Sequence, residues 1–135
     1  MDRPRIISRI SMFDHYVSNL KKITPKSISE YKKSESYTKA AVERYLQVLS
    51  ELELDVIVLL HKGLELRPVG SEESVISAIE PTLGSKTVEN VRARRRLRNA
   101  LVHAYSDIDD FEVFKMASDL KDLENFKASV LKILK

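Results

Sequence analysis

Residues 36–62, SYTKAAVERYLQVLSELELDVIVLLHK, contain the longest stretch of helical periodicity in the chain. Apolar side chains recur there at spacings of three or four residues, which places them on one face of an α-helix. The predicted inward stripe consists of Ala41, Tyr45, Val48, Leu52, Val56 and Leu59. The pattern therefore predicts one long amphipathic helix and, with it, a helical fold.

Five further helices are predicted around this long helix, from the same periodicity and from capping signals. They cover about residues 4–22, 25–33, 71–84 and 85–104, and the stretch from Asp109 to the end. No sustained alternation of apolar and polar residues predicts a sheet. We expect an all-α, antiparallel helical bundle with three to four long helices and two short ones, folded as a single domain over residues 1–135.

The composition excludes several classes of protein. The chain has no cysteine, so it has neither disulfides nor thiolate metal sites. No apolar run approaches the ~20 residues of a membrane-spanning helix, and no signal peptide is evident. We therefore expect a cytoplasmic protein that has no contact with membranes. No metal site and no cofactor are predicted, because His15 and His61 stand alone, and the carboxylates Asp107, Asp109 and Asp110 suit a turn and a helix start.

Positive charge is concentrated in one predicted helix. Residues 85–105 carry six cationic side chains against one glutamate, a formal charge of +5 in a chain whose total is +3. Arginine forks suit phosphate oxygens, so this helix is a candidate footprint for nucleic acid or nucleotide phosphate. The candidate phosphate-binding side chains are Arg92, Arg95 and Arg96. The alternative is a helix face whose arginines pair with acidic neighbours.

A helical projection of this segment separates two faces. The predicted core face carries Leu97, Ala100, Leu101 and Ala104. The opposite face carries Arg92, Arg95, Arg96, Asn99 and His103. The basic side chains are thus expected to point away from the core.

Arg98 and His103 carry complementary chemistry. Histidine moves protons near neutral pH, and arginine stabilises charge on a phosphoryl group. Such a pair suffices for RNA cleavage without a metal: the histidine activates the 2′-hydroxyl and the arginine stabilises the pentacovalent phosphate. The two residues lie roughly 140° apart around one helix, which favours a cleft shared by two copies across a two-fold axis. In the alternative interpretation, His103 interacts with the helix dipole and Arg98 forms an ordinary ion pair.

The string Arg98-Asn99-x-x-x-His103-x-Tyr105, followed by Ile108-Asp109, resembles the HEPN family, and more narrowly its HepT toxin branch. That branch has arginine, four residues, histidine, one residue and tyrosine. Leu101-Val102 before the histidine also match its pattern. The arginines at 94–96 depart from it, because family members commonly have a small or apolar residue in the turn before the motif arginine.

The resemblance implies a helical homodimer, joined through the motif helix, whose paired motifs form a cleft. Many such proteins are metal-independent endoribonucleases, so Arg98 and His103 would be catalytic, with Asn99 supporting them. HepT-like toxins form type VII-like toxin–antitoxin pairs with a minimal nucleotidyltransferase, the MntA-like antitoxin. This partner transfers AMP to the motif tyrosine, here Tyr105, which would block entry of the RNA substrate.

Two other functions stay open at this point. In the first, the chain is a non-catalytic companion that binds a nucleotide or substrate for a nucleotidyltransferase. In the second, it is a helical interaction protein whose basic helix is merely solvated.

Overall fold

The computed structural model describes residues 1–67, 70–103 and 108–135, and in these residues the chain forms seven α-helices and no strand. The fold is therefore all-α, as the sequence predicts. In chain order the helices are α1 (Arg3–Ile23), α2 (Ile28–Lys33), α3 (Ser36–Gly63), α4 (Glu72–Leu83), α5 (Ser85–His103), α6 (Asp110–Ser118) and α7 (Leu120–Ile133).

Local capping chemistry fixes where several helices begin. The side chain of Asp2 accepts a hydrogen bond from the Arg5 N–H at the start of α1, and Ser71 accepts one from Ser74 at the start of α4. These side chains satisfy N–H groups that have no partner within the helix. At the end of α4, Gly84 has a φ of +99°, a conformation that glycine adopts without strain, and the chain turns directly into α5.

The long helix α3 lies at the centre of the bundle and contacts α1, α4, α5 and α6. Helix α1 runs antiparallel to it. Arg9 pairs with Asp55 near one end of the α1–α3 contact, and the rings of Tyr16 and Tyr45 meet near the other. The C-terminal helix α7 also runs antiparallel to α1, with the rings of Phe13 and Phe126 5.6 Å apart.

The buried stripe of α3 differs from the predicted one. Leu52 and Val56 are buried as predicted, but Ala41, Tyr45, Val48 and Leu59 are only half-buried. The buried side chains are displaced by about one residue: Val42, Leu46, Leu49, Ser50, Leu52, Glu53, Val56, Ile57 and Leu60. Part of the stripe was predicted wrongly because the neighbouring face is also apolar, so apolar spacing alone does not decide which face is buried. That face carries Val42, Leu46, Leu49, Ile57 and Leu60, together with the completely buried Glu53.

The prediction of one continuous last helix was wrong. The segment forms α6 and α7, which meet at Asp119. Asp119 ends α6, and its side chain accepts a hydrogen bond from the Asp122 N–H to begin α7. The short polar side chain of aspartate favours such a cap, so the chain changes direction there. The predicted cap at Asp109 is confirmed, since its side chain accepts a hydrogen bond from the Phe111 N–H.

None of the helices in the described ranges is both long enough and apolar enough to cross a membrane.

Candidate functional site

Helix α5 carries the predicted motif and lies against α3, α4 and α7. Val88, Val91 and Leu97 anchor it in the core. Arg98 and Asn99 follow in its penultimate turn, and His103 is its last residue. The predicted catalytic and supporting residues of the described chain are thus held on one packed element. Tyr105, the predicted modification site, and Ala104 lie outside the described residues.

Two parts of the predicted helical projection were wrong. Arg95 was expected on the solvent side but is 7% exposed, and Ala100 was expected in the core but is exposed. Arginine is rarely buried unless it is paired, and here carboxylates on α3 and α4 reach α5 and make its burial possible. Leu97 is buried, and Arg96, Asn99 and His103 are exposed, as predicted.

Arg94 and Glu53 form the deepest polar contact in the described chain. Arg94 Nε donates to Glu53 Oε1 at 2.8 Å, and Nη2 donates to Oε2 at 2.6 Å. Burial raises the pKa of the Glu53 carboxyl, against the opposing attraction of Arg94. Desolvation by itself would lower the pKa of Arg94, but the charge and hydrogen bonds of Glu53 outweigh it and raise that pKa.

Arg95 joins α5 to α3 and α4. Its Nη2 donates to Glu72 Oε2 at 2.8 Å, and its Nη1 donates to the Ser50 hydroxyl at 3.4 Å. Its buried Nε has no hydrogen-bond partner among the described residues. Arg95 therefore connects three helices, and Glu72 already neutralises its positive charge within the subunit.

Arg92 is also paired with carboxylates of α4. Its Nε lies 2.9 Å from Glu73 Oε1, and its Nη1 lies 3.0 Å from Glu80 Oε1. Arg96 is the exception among the three predicted phosphate-binding arginines, because it is exposed and forms no ion pair with a described residue. Of the three arginines predicted to bind phosphate, Arg96 alone has no carboxylate partner among the described residues. Arg92 and Arg95 pair with acidic side chains of α4, as the alternative interpretation of the basic helix expects.

Arg98 is held by two neighbours. Its Nη2 and Nε donate to Glu51 Oε1 at 3.0 and 3.3 Å, and its Nη1 donates to Asn99 Oδ1 at 3.2 Å. The Arg98 side chain is 24% exposed, so it is both anchored and accessible. Asn99 contacts Arg98 directly through this hydrogen bond.

His103 is exposed at the end of α5 and forms no hydrogen bond with Arg98. Their separation of five residues in a regular helix directs the two side chains roughly 140° apart. A single subunit thus does not bring these two side chains together along this helix.

Two grooves flank α5. One, with a volume of about 570 Å³, lies between α5, α6 and α7, and its apolar wall is formed by Ala93, Leu97, Ala100 and Met116. The other, about 470 Å³, lies between α4 and α5 and reaches Arg96 and Asn99. Both grooves combine apolar and charged side chains: the first also carries Glu112, Lys115 and Asp119, and the second carries Glu72 and Glu73. Arg96 lines both grooves. In the described ranges, no three acidic or histidine side chains are grouped in a way that would hold a metal ion.

Sequence interpretation missed the acidic partners of α5. The signal for Glu53 was present, since the spacing Leu46, Leu49, Glu53, Val56, Leu60 follows the buried face of a helix. Glu51 and Glu72 have no such local signal, because their roles arise from arginines more than twenty residues away.

Comparison with known proteins identifies the family of the chain. The family described as Ribonuclease HepT-like matches residues 13–130, which is most of the chain and includes the whole of α5. The chain belongs to the HepT-like ribonuclease family. This membership confirms the family resemblance of the motif on α5. No curated protein matches the chain.

Solved structures share the HepT-like fold along nearly the whole chain. YutE from Bacillus subtilis, described as a cytosolic protein of unknown function, is 18% identical, with a TM-score of 0.81 over 99% of this chain and 91% of that one. A toxin–antitoxin structure with AMP-PNP is 18% identical, with a TM-score of 0.80 over 95% of this chain and 96% of the other. A tyrosine-to-alanine mutant of an MntA–HepT toxin–antitoxin pair is 21% identical, with a TM-score of 0.78 over 95% and 98%. At these identities the similarity establishes the fold.

Proposed function

We propose that this chain is a metal-independent endoribonuclease toxin of a type VII-like toxin–antitoxin pair. The observation that carries the proposal is the presence, on one helix of a chain from the HepT-like ribonuclease family, of an anchored but accessible Arg98 and an exposed His103. Asn99 supports Arg98 through the hydrogen bond to its Nη1.

The proposed reaction is an internal transesterification, in which the 2′-oxygen of RNA replaces the 5′-oxygen at the adjacent phosphorus. His103 removes the proton of a 2′-hydroxyl, and the resulting oxygen attacks the adjacent phosphorus. Arg98 stabilises the charge of the pentacovalent phosphate, because guanidinium N–H groups match phosphate oxygens. The bond from phosphorus to the 5′-oxygen then breaks, and that oxygen takes a proton from the imidazolium that His103 became in the first step. The products are a 2′,3′-cyclic phosphate and a 5′-hydroxyl.

The divergence of Arg98 and His103 supports a homodimer through the motif helix. Two α5 helices that face each other across a two-fold axis would bring Arg98 of one copy towards His103 of the other. Exposed apolar groups on and after α5 also favour an interface: Val102 is 41% exposed and Phe111 is 53% exposed. In the adjacent groove, Ala100 and Met116 add apolar surface beside charged side chains of α6 and α7.

Of the three arginines predicted to bind phosphate, Arg96 is the best supported. Arg92 and Arg95 would have to leave their carboxylate partners to bind RNA, whereas Arg96 is exposed and lines the groove that reaches Asn99. We therefore assign the main backbone contact along α5 to Arg96.

The proposed partner is an MntA-like minimal nucleotidyltransferase that inactivates the toxin by AMP transfer to Tyr105. Two of the structures that share this fold are toxin–antitoxin structures, one with AMP-PNP and one with a tyrosine replaced. A cytoplasmic location is part of the proposal, in keeping with the cytosolic description of the similar Bacillus protein.

RNA cleavage by the purified chain in EDTA tests the enzyme proposal. We expect cleavage by the wild type and none by His103→Ala, with the same unfolding midpoint, because His103 is exposed. His15→Ala is the matched control, since His15 is another exposed histidine, bonded only locally to Asn19. Equal cleavage by wild type and His103→Ala would refute the role of His103.

A second candidate function is a non-catalytic companion that presents a nucleotide or substrate to a nucleotidyltransferase. It is favoured by the pairing of Arg92, Arg94, Arg95 and Arg98 with carboxylates inside the subunit, which leaves less positive charge for RNA. This function predicts nucleotide binding without RNA cleavage, which calorimetry and the same cleavage assay distinguish.

A further inference from the structure

Glu51, on the central helix α3, fixes the conformation of Arg98. Two nitrogens of the guanidinium, Nε and Nη2, donate to the same oxygen, Glu51 Oε1, at 3.3 and 3.0 Å. Arginine has about 2 kcal/mol of rotamer entropy to lose when it is immobilised. Because Glu51 holds it beforehand, that loss does not have to accompany the arrival of a ligand.

The contacts leave part of the Arg98 fork available. A guanidinium has five N–H donors, one on Nε and two on each terminal nitrogen. Glu51 and Asn99 use three of them. Among the described residues, one N–H on each terminal nitrogen is therefore left for a phosphate.

We propose that Glu51 is a positioning residue for Arg98. It holds the guanidinium by its Nε–Nη2 edge so that the remaining terminal N–H groups face the phosphate in the transition state. This inference rests on the proposed ribonuclease function, and Glu51 itself touches no substrate in it.

The charge of Glu51 gives this role a distinctive signature. A carboxylate beside the site repels phosphate, so it weakens substrate binding while it orients Arg98. Replacing a residue that only stabilised the fold would not lower kcat while it left KM the same or lower. Loss of the charge should consequently lower kcat without raising KM. The pair is partly exposed, with Glu51 at 41%, so its removal should change the stability little.

The test compares Glu51→Gln and Glu51→Asp with wild type. Glu51→Gln keeps the size and removes the charge, and we expect kcat to fall by roughly 10- to 100-fold, as when a reacting group is misplaced by about 1 Å. KM should stay the same or fall. Glu51→Asp, which keeps the charge on a shorter stem, should recover part of kcat. The matched control is Asp55→Asn, one turn further along α3, where the carboxylate pairs with Arg9 instead.

Nuclear magnetic resonance of the Arg98 Nε–Hε group supplies a readout that is independent of activity, with the signal assigned by its loss in Arg98→Lys. We expect Hε to exchange more slowly with water in wild type and in Asp55→Asn than in Glu51→Gln. Unchanged exchange in Glu51→Gln, or an unchanged kcat in an active enzyme, would overturn the positioning role. If wild type cleaves no RNA, the ribonuclease function fails, and the Nε–Hε exchange still decides whether Glu51 positions Arg98.

Discussion

Glu53 of α3 and Arg94 of α5 form a buried ion pair with two hydrogen bonds, in which the carboxylate is completely inaccessible and the arginine is 7% exposed. The pair joins the central helix to the helix that carries the motif. The fork geometry fixes the rotation of α5 as well as its distance from α3, because both oxygens are engaged. The orientation of Arg98, one turn further along α5, depends on this rotation.

Breaking this pair should destabilise the fold strongly. In Arg94→Met the carboxylate of Glu53 loses its partner in the core, and we expect the free energy of unfolding to fall by about 3–5 kcal/mol. Denaturant unfolding measures the change. The double variant Glu53→Leu/Arg94→Met should recover most of the loss, since it buries no charge.

The exposed pair of Asp14 and Lys127, 2.7 Å apart, is the control. Asp14→Asn should cost no more than about 1 kcal/mol. A similar cost for Asp14→Asn and Arg94→Met would contradict the importance of burial.

Glu43 should make the stability depend on pH. Burial, and then the negative charge of Asp110, raise the pKa of Glu43 above its ordinary value of 4.5. The folded state thus holds this proton more tightly than the unfolded state, and the resulting stabilisation is complete below pH 4.5 and lost as the pH rises through the folded-state pKa. Relative to wild type, Glu43→Gln should gain stability between pH 4 and pH 7. Thermal unfolding across this range measures it, and a difference that is independent of pH would refute the assignment.

Arg96 and Arg92 should differ in their contribution to RNA affinity. In a His103→Ala background, which prevents cleavage, Arg96→Ala should weaken RNA binding and reduce the slope of log affinity against log salt by about one. Arg92→Ala makes the same change in net charge, but Arg92 is already paired with Glu73 and Glu80, so the slope should change less. Titration at several salt concentrations distinguishes the variants. Equal slopes for the two variants would mean that the summed positive charge of α5 attracts RNA and that Arg96 makes no direct phosphate contact.

The dimer proposal predicts that a charge at the end of α5 or at the start of α6 separates the subunits. Val102→Glu and Phe111→Glu should each shift the protein from dimer to monomer in sedimentation analysis, because both side chains are exposed in the single subunit. Neither change should unfold the chain. Ile7→Glu is the control, since Ile7 is 48% exposed on α1, near Arg9, whose partner Asp55 lies towards the other end of α3. A dimer that persists in both Val102→Glu and Phe111→Glu would mean that the interface lies elsewhere.

The sequence by itself determined the helical class, most of the helix starts and the position of the motif. These features rest on local physics: apolar spacing defines a helix face, and Asp2, Ser71 and Asp109 cap the helices that follow them. The pattern of Arg98, Asn99 and His103 is likewise contained within one turn and a half of α5, so it was visible without the fold.

Only the tertiary structure decided which arginines are available. Arg95 and Arg96 are adjacent and chemically identical, yet one is buried against Glu72 and the other is exposed. The difference comes from carboxylates on α3 and α4, which are brought to α5 by packing between residues distant in sequence. Glu51 acquires its contact with Arg98 in the same way, across 47 positions of the chain. Charge along a helix is a property of sequence, but compensation of that charge depends on which helices pack together, and local patterns do not encode it.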